Sequence, residues 1–278
     1  MKKWLLAILA ICGAMTCIAQ DDSTTKQKPD TVRVGGMIII KDKEVKDGES
    51  KVRREVKISN RRKRNTSNLQ TNWAILDIGF ANFNDKSDYA AAQASGFVGA
   101  GVTDDQFDLR TGKSVNVNIW FFMQKLNVVK HVVNLKYGLG LELNNYRFDD
   151  QRLRFSKNPT HISIDPALES VDKNKLAADY ITIPLMLNFD FTPKNKRGFG
   201  LSAGVSAGYL YSSRQKIKDG SDKDKLHNDF DLRKWKLSYI GELNLGPVRL
   251  YGSYAFKSMW EKGLDQTPYT VGLRFSKL

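Results

Sequence analysis

Val133-Asn-Leu-Lys-Tyr-Gly-Leu-Gly-Leu-Glu-Leu-Asn144 alternates between two kinds of residue without a break. Val133, Leu135, Tyr137, Leu139, Leu141 and Leu143 fall on one side; Asn134, Lys136, Gly138, Gly140, Glu142 and Asn144 fall on the other. Successive side chains of a strand point to opposite faces, so a period of two with one apolar side reads as a β-strand. Ile181, Ile183, Leu185, Leu187, Phe189 and Phe191 repeat the rule against Thr182, Pro184, Met186, Asn188 and Asp190. Val115, Val117, Ile119, Phe121 and Met123 repeat it against Asn116, Asn118, Trp120, Phe122 and Gln124. Five less regular segments, at 73–83, 198–212, 234–245, 248–258 and 268–276, bring the expected number of strands to eight.

The connections alternate in length. Long ones cover 84–113, 147–179, 213–233 and 259–267, and short ones cover 125–131, 192–198 and 246–247. Tight turns at one end and long loops at the other suit an up-and-down antiparallel barrel, and strands of about 10 residues match the hydrocarbon thickness of a bilayer. Alternation does not separate a membrane barrel from a soluble one. Charge placement does. The apolar face of the eight segments holds no Asp, Glu, Lys or Arg, and a cation there costs about 2–4 kcal/mol at the bilayer midplane.

The opposite face carries Asp77, Lys136, Glu142, Asp190, Lys236, Glu242, Arg249, Lys257 and Arg274, close to charge balance, together with Gly79, Gly138, Gly140, Gly200, Gly204, Gly208 and Gly272. An eight-stranded barrel has an interior just wide enough for side chains to fill, which suits so many glycines and turns the charges into a plug rather than a pore lining. The fold expected is therefore all-β, an eight-stranded antiparallel up-and-down transmembrane β-barrel over 73–278. Arg274 should meet Asp77 where the last strand closes on the first. Phe191, Phe199 and Phe275 near the short turns, and Tyr146, Tyr180, Tyr209, Tyr211, Trp235, Trp260 and Tyr269 near the long loops, read as two interfacial girdles.

Residues 1–19 read as a signal peptide, with a basic start at Lys2 and Lys3, an apolar stretch from Trp4 to Ile11, and Cys17-Ile18-Ala19 as the cleavage site. Both cysteines, Cys12 and Cys17, lie inside it, so the mature chain has no thiol for a disulfide or a metal. The formal net charge is +14. Between Lys41 and Arg64, eleven bases face five acids, and the densest run is Arg61-Arg62-Lys63-Arg64. With no aromatic between 21 and 72 to stack a base, the run reads as a solvated periplasmic tether within 20–72 and not as a nucleic-acid site. Thr31 to Ile40 and Lys51 to Ser59 flank the turn signal Asp47-Gly48 and read as a small hairpin over 31–58, marginal in water alone.

Trp73-Ala-Ile-Leu-Asp-Ile-Gly-Phe-Ala-Asn-Phe83 and Tyr269-Thr-Val-Gly-Leu-Arg-Phe275, with the signal peptide and tether, resemble the PorT-type outer-membrane β-barrel family, a small barrel of the OmpA/OmpX kind. The closing Phe275-Ser-Lys-Leu278 departs from the terminal Phe typical of such barrels. The resemblance implies an integral barrel of the Gram-negative outer membrane with periplasmic termini. PorT itself is associated with secretion, which makes an accessory secretion role one reading. Long polar loops on a rigid scaffold favour a structural, surface-binding or adhesion role. Expected surroundings are outer-membrane lipid and lipopolysaccharide, a periplasmic or secretion-complex protein at the tether, no nucleic acid, and a monomeric barrel.

An enzyme is the third reading. His161-Ile-Ser163, with Asp165 or Glu169, is similar to the His-x-Ser pair of lipid A deacylases, and His227 with Asp229 and Asp231 could form an omptin-like dyad. Both sets fall within long loops, where a solvated histidine is the ordinary state, and His131 lies in a short turn. No phosphate-cradling glycine loop or metal-ligand spacing occurs. No catalytic, cofactor or metal residue is assigned.

Overall fold

The computed structural model describes residues 67–193 and 198–276, together with the backbone of three strands ahead of them. The chain divides into two compact units, Met1–Arg62 and Lys63–Leu278. In the first, β1 (Asp30–Val34), β2 (Met37–Lys43) and β3 (Val52–Ile58) form an antiparallel meander, with Val34 opposite Met37 and Lys43 opposite Val52. The run expected as one strand, 31–40, is thus two, and Gly35-Gly36 between them is a two-residue hairpin signal. Three strands hold together better than a lone hairpin. The expected signal peptide and Arg61-Arg62-Lys63-Arg64 lie outside the described residues.

In the second unit the strands are β4 (Leu69–Asp85), β5 (Val115–Val129), β6 (Val133–Arg147), β7 (Leu153–Ser156), β8 (His161–Ile164), β9 (Lys173–Asp190), β10 (Phe199–Asp219), β11 (Asp222–His227), β12 (Trp235–Leu245), β13 (Val248–Ala255) and β14 (Gln266–Phe275). A short helix, α1 (Tyr89–Ala94), is capped by Asp88, whose carboxylate accepts from the Ala91 N–H. Eight strands, β4, β5, β6, β9, β10, β12, β13 and β14, pair antiparallel in sequence order, and β14 closes on β4. That is the barrel read from the period of two.

Its outer face is apolar and exposed. Ile183, Leu185 and Leu187 of β9, Phe80 of β4, Leu237 of β12 and Val271 of β14 each show about half their surface, 48–58%. A continuous belt of this kind is not tolerated in water and is what lipid requires. Inside, space is tight. At the closure Gly272 lies opposite Gly79, and a Cβ on Gly79 would come within 2.6 Å of the Tyr251 hydroxyl and 2.7 Å of Gly272 Cα. The Tyr251 ring occupies the room those two missing side chains leave.

Among the described residues the register slips at three places, Trp120/Phe122 and Asn127/Val129 on β5 and Leu210/Ser212 on β10, and the first of them turns over residues expected in the lipid belt. Between Trp120 and Phe122 the β5–β6 register slips by one residue, and β4 skips Ala74 opposite the same point. A bulge inserts one residue and turns the following side chains over. Met123, expected on the lipid side, therefore points inward, 2% exposed, and packs with Ile75, Trp120 and Met186.

The second departure is length. β9 has 18 residues and β10 has 21, well past the roughly 10 needed to cross a bilayer. Segments 173–179 and 213–219, expected to be loop, are strand: β9 and β10 stay paired from Asp190–Gly200 up to Lys173–Lys218, and β10 turns into β11. Together with the end of β6 they raise one wall of the barrel beyond the apolar belt at the long-loop end.

The inner side of that wall carries the third departure. The long connections, expected as polar loops, share a buried core. Phe97 and Phe107 come from the first, Phe148, Leu153, Phe155 and Ile162 from the second, Phe230 and Leu232 from the third, and Met259, Trp260 and Leu264 from the fourth. Phe155 stacks on both Phe148 and Trp260, with centroids 5.8 and 6.2 Å apart, and meets Phe230 edge-on at 5.5 Å. Leu176, Ala178 and Tyr146 supply the wall it packs on. Gln215 pins the β7–β8 hairpin to the wall, donating to the Leu153 carbonyl at 2.8 Å and accepting from the Phe155 N–H at 3.0 Å. Each fully buried aromatic is worth about 1.5–3 kcal/mol, so the cap is a folded layer and not a set of solvated loops.

Candidate functional site

Alternation aims the polar residues of eight strands into one lumen, and they meet there as charge pairs. Arg274 grips Asp77 with two parallel hydrogen bonds, Nε to Oδ1 at 2.7 Å and Nη2 to Oδ2 at 2.8 Å. Its third nitrogen, Nη1, donates to Glu242, whose other oxygen accepts from Lys136. Asp77 is fully buried and also accepts from the Trp120 indole at 2.7 Å and Asn118 at 3.3 Å. Further toward the long-loop end Lys236 donates to Glu142 and lies 4.6 Å from the centre of the Tyr180 ring. Asn144 and Asn116 continue the network to the Tyr251 hydroxyl. A fork of five donors held against a carboxylate is the geometry in which a buried pair can offset its desolvation.

Toward the short turns Lys125 donates to Asp190 at 3.1 Å, and Arg249 donates to Ser276. These residues border a polar cavity of about 310 Å³, also lined by Asn188, Asn244 and Glu242. Higher up, between Asp77, Glu142 and Arg274, the free space falls to about 30 Å³, room for no more than a water or two. The lumen is closed in the middle by salt bridges and at the long-loop end by the aromatic cap.

Eight of the nine residues expected inside the barrel line this network or its cavity: Asp77, Lys136, Glu142, Asp190, Lys236, Glu242, Arg249 and Arg274. Lys257 does not. It lies past the end of β13, where pairing has stopped, and is exposed. Three of the expected interfacial aromatics are also elsewhere. Tyr146, Tyr180 and Trp260 are 1–2% exposed and belong to the cap core, because Tyr146 and Tyr180 fall on the inward phase of their strands and Trp260 sits in a folded connection. Phe191, Phe199, Tyr209, Trp235, Tyr269 and Phe275 do face outward, 36–66% exposed, and Tyr209 and Trp235 meet edge-on at 5.0 Å. Lys125 is not legible as a lumen residue because it lies at the edge of the segment 125–131, whose composition reads as a turn. Trp120 and Tyr251 are not legible as members because neither is charged.

The catalytic alternatives lack their geometry. His161 places Nδ1 2.8 Å from the Gly96 carbonyl, and the Asp165 carboxylate is held by Arg154 Nε at 2.5 Å and the Ala167 N–H at 3.0 Å, so Asp165 does not orient the imidazole. His227 pairs in register with Arg214 at the end of β11, while Asp231 pairs with Lys262. Among the described residues no cluster of His, Cys, Asp and Glu is arranged to hold a metal ion.

A family model described as outer membrane protein β-barrel domain matches residues 80–257. No curated protein matches the chain. Among solved structures, the crystal structure of Ail, the attachment invasion locus protein of Yersinia pestis, is similar at 13% identity, covering 73% of this chain and 99% of that one, with a TM-score of 0.31.

Proposed function

The chain belongs to the outer membrane protein β-barrel domain family, and from that premise we propose a non-enzymatic, surface-binding or adhesion role for its capped long-loop end, facing outside the cell with the termini in the periplasm. The observation that carries this reading is the shared core of the four long connections, which turns them into one rigid platform. A rigid scaffold presenting loops is how recognition surfaces are commonly built. The plugged lumen argues against a diffusion pore, since free space shrinks to about 30 Å³ at the Arg274–Asp77 pair. Intact cells treated with protease, with the cuts mapped by mass spectrometry, test the orientation: cleavage at exposed points such as Lys113, Lys157 and Lys262 is expected. Cuts confined to permeabilised cells would refute it. The role itself is tested by attachment of expressing cells to defined surface polymers, with loss expected when the cap is disrupted by Trp260→Ala.

A second reading keeps the PorT-type resemblance and makes the barrel an accessory of a secretion assembly, with the basic segment as its periplasmic handle and a partner protein bound there. Deleting residues 41–64 separates the two. Lost secretion with intact surface attachment supports the accessory role, and the reverse supports the surface role.

A further inference from the structure

The raised wall has an inner face that the cap explains and an outer face that nothing in folding explains. Past Ile181 the outward positions of β9 are Asp179, Ala177, Lys175 and Lys173, and past the register slip at Tyr211 those of β10 are Ser212, Arg214, Lys216 and Lys218, so the top two rungs are cationic where the belt is apolar. Arg147 of β6 lies opposite Lys175 of β9, which lies opposite Lys216 of β10, which lies opposite Lys225 of β11. In the next rung Lys173, Lys218 and Lys223 are aligned in the same way. Seven cations thus share two adjacent rungs of a sheet, in an area of about 15 by 7 Å by ordinary strand spacing. Like charges directly opposite one another destabilise a sheet.

The nearest acid below the two rungs, Asp179, is taken by Arg214 at 2.6 Å. Lys218 reaches Asp172 at 3.4 Å, and Arg147 donates to the Asp172 carbonyl at 2.6 Å. Among the described residues Lys173, Lys216, Lys223 and Lys225 form no ion pair with an acid. The repulsion is felt: burial, then Lys173, Lys216 and Arg214, push the Lys175 ammonium down to about 8, despite Asp179. Seven cations side by side with one paired acid among them form a receptor that lacks its anion.

The height of the patch says which anion. Lys175 is six residues beyond Ile181 and Lys216 five beyond Tyr211, which places both about 12–15 Å above the apolar belt for strands tilted near 40–45°. Being on the outer face, the patch looks sideways into the layer of lipid headgroups and not up into solution. We infer that the two cation rungs on β6, β9, β10 and β11 bind the phosphate groups of the glycolipid that forms the surrounding outer leaflet. The inference rests on the outward orientation proposed above. Each phosphate carries about −1.5 to −2 charge, so about four of them neutralise seven cations. The glycolipid then completes the wall electrostatically and holds the cap at a set height.

The test uses the full-length protein in phosphatidylcholine nanodiscs that contain diphosphorylated lipid A or the same lipid with its phosphates removed. Wild type should prefer the phosphorylated lipid. The variant Lys173→Gln/Lys175→Gln/Lys216→Gln/Lys218→Gln should bind it about 100-fold more weakly, since each cation near an anionic surface is worth about five-fold and neighbours are not fully additive. An equal loss of charge elsewhere, Lys86→Gln/Lys113→Gln/Lys157→Gln/Lys262→Gln, should change binding by less than three-fold. In neutral detergent, without lipid A, the first variant should melt no lower than wild type, because repulsion has been removed; that shows it is folded. Unchanged lipid A binding in the folded variant overturns the inference. So does a wild type that binds heparin through the same lysines but shows no preference for phosphorylated lipid, which would assign the patch to a soluble polyanion. The nanodisc measurement does not depend on which way the protein faces in the cell, so its failure is told apart from a failure of the surface-protease result.

Discussion

Replacing Arg274 by Ala removes three donors at once. Asp77 loses its bidentate partner but keeps Trp120 and Asn118, and Glu242 keeps Lys136. The carboxylate left with no cation is Asp77, which is fully buried. Breaking a buried pair by deleting one member costs about 3–5 kcal/mol, far more than the pair contributes relative to a well-packed apolar replacement. For a barrel of this length 1 kcal/mol moves the melting temperature by about 2–4 °C, so a fall of roughly 6–20 °C is expected. Tryptophan fluorescence during heating in neutral detergent reads it, with the mobility difference between boiled and unboiled samples as a second probe of the folded barrel. The double variant Arg274→Met/Asp77→Asn should recover at least half of the loss, because it removes the orphaned charge while Lys136 still neutralises Glu242. A fall of less than 2 °C for Arg274→Ala, or a double variant as unstable as the single one, would show that the lumen charges are solvated and that the plug does not hold the closure between β14 and β4.

Three more outcomes follow from the geometry. Gly79→Val should give no barrel that resists unfolding in unboiled samples, because its Cβ would fall 2.3 Å from the Val271 carbonyl and 2.6 Å from the Tyr251 hydroxyl; a folded variant would mean the closure can slip. Trp260→Ala should cost about 3–5 kcal/mol in the cap, whose Trp260 is 1% exposed with its indole donating to Gln266 at 2.8 Å; limited proteolysis should cut the long connections faster while β-sheet circular dichroism of the barrel persists. The depressed Lys175 gives a pH effect of definite sign. The unfolded chain holds that proton up to about 10.4 and the folded one only to about 8, so stability in uncharged detergent should rise as pH climbs from about 8 to 10, by about 1 kcal/mol after allowance for partial exposure. Lys175→Gln should flatten the rise, and an equal rise in that variant would exclude Lys175 as its source.

The strand count, the order of the strands and most of the lumen charges, though not Lys125, are legible in the chain because a two-residue period survives tertiary context once one face is lipid. Where reading stopped, it stopped for identifiable reasons. The tips of β9 and β10 alternate again, Lys173, Lys175, Lys216 and Lys218 against Asn174, Leu176, Gln215 and Ile217, but Leu176 to Tyr180 are buried on both faces and Tyr211 is bulged out of β10. The sequence reads as loop there because the outward residue in the alternation is a cation instead of a leucine. The bulge at Phe121 inverts the phase of a run whose residues on both faces are large and apolar, so no composition marks it.

From the order of residues alone come the barrel, its closure at Arg274 and Asp77, and the lipid-facing belt, since each follows from the two-residue period and from pairing the strands in order and then the last with the first. The cap and the cation patch come only from the folded chain. Phe97, Phe155, Phe230 and Trp260 are scattered through four connections with no period, and Arg147, Lys175, Lys216 and Lys225 sit on four strands; three-dimensional pairing is what gathers each set, because burial and charge act over distance in space and not along the chain.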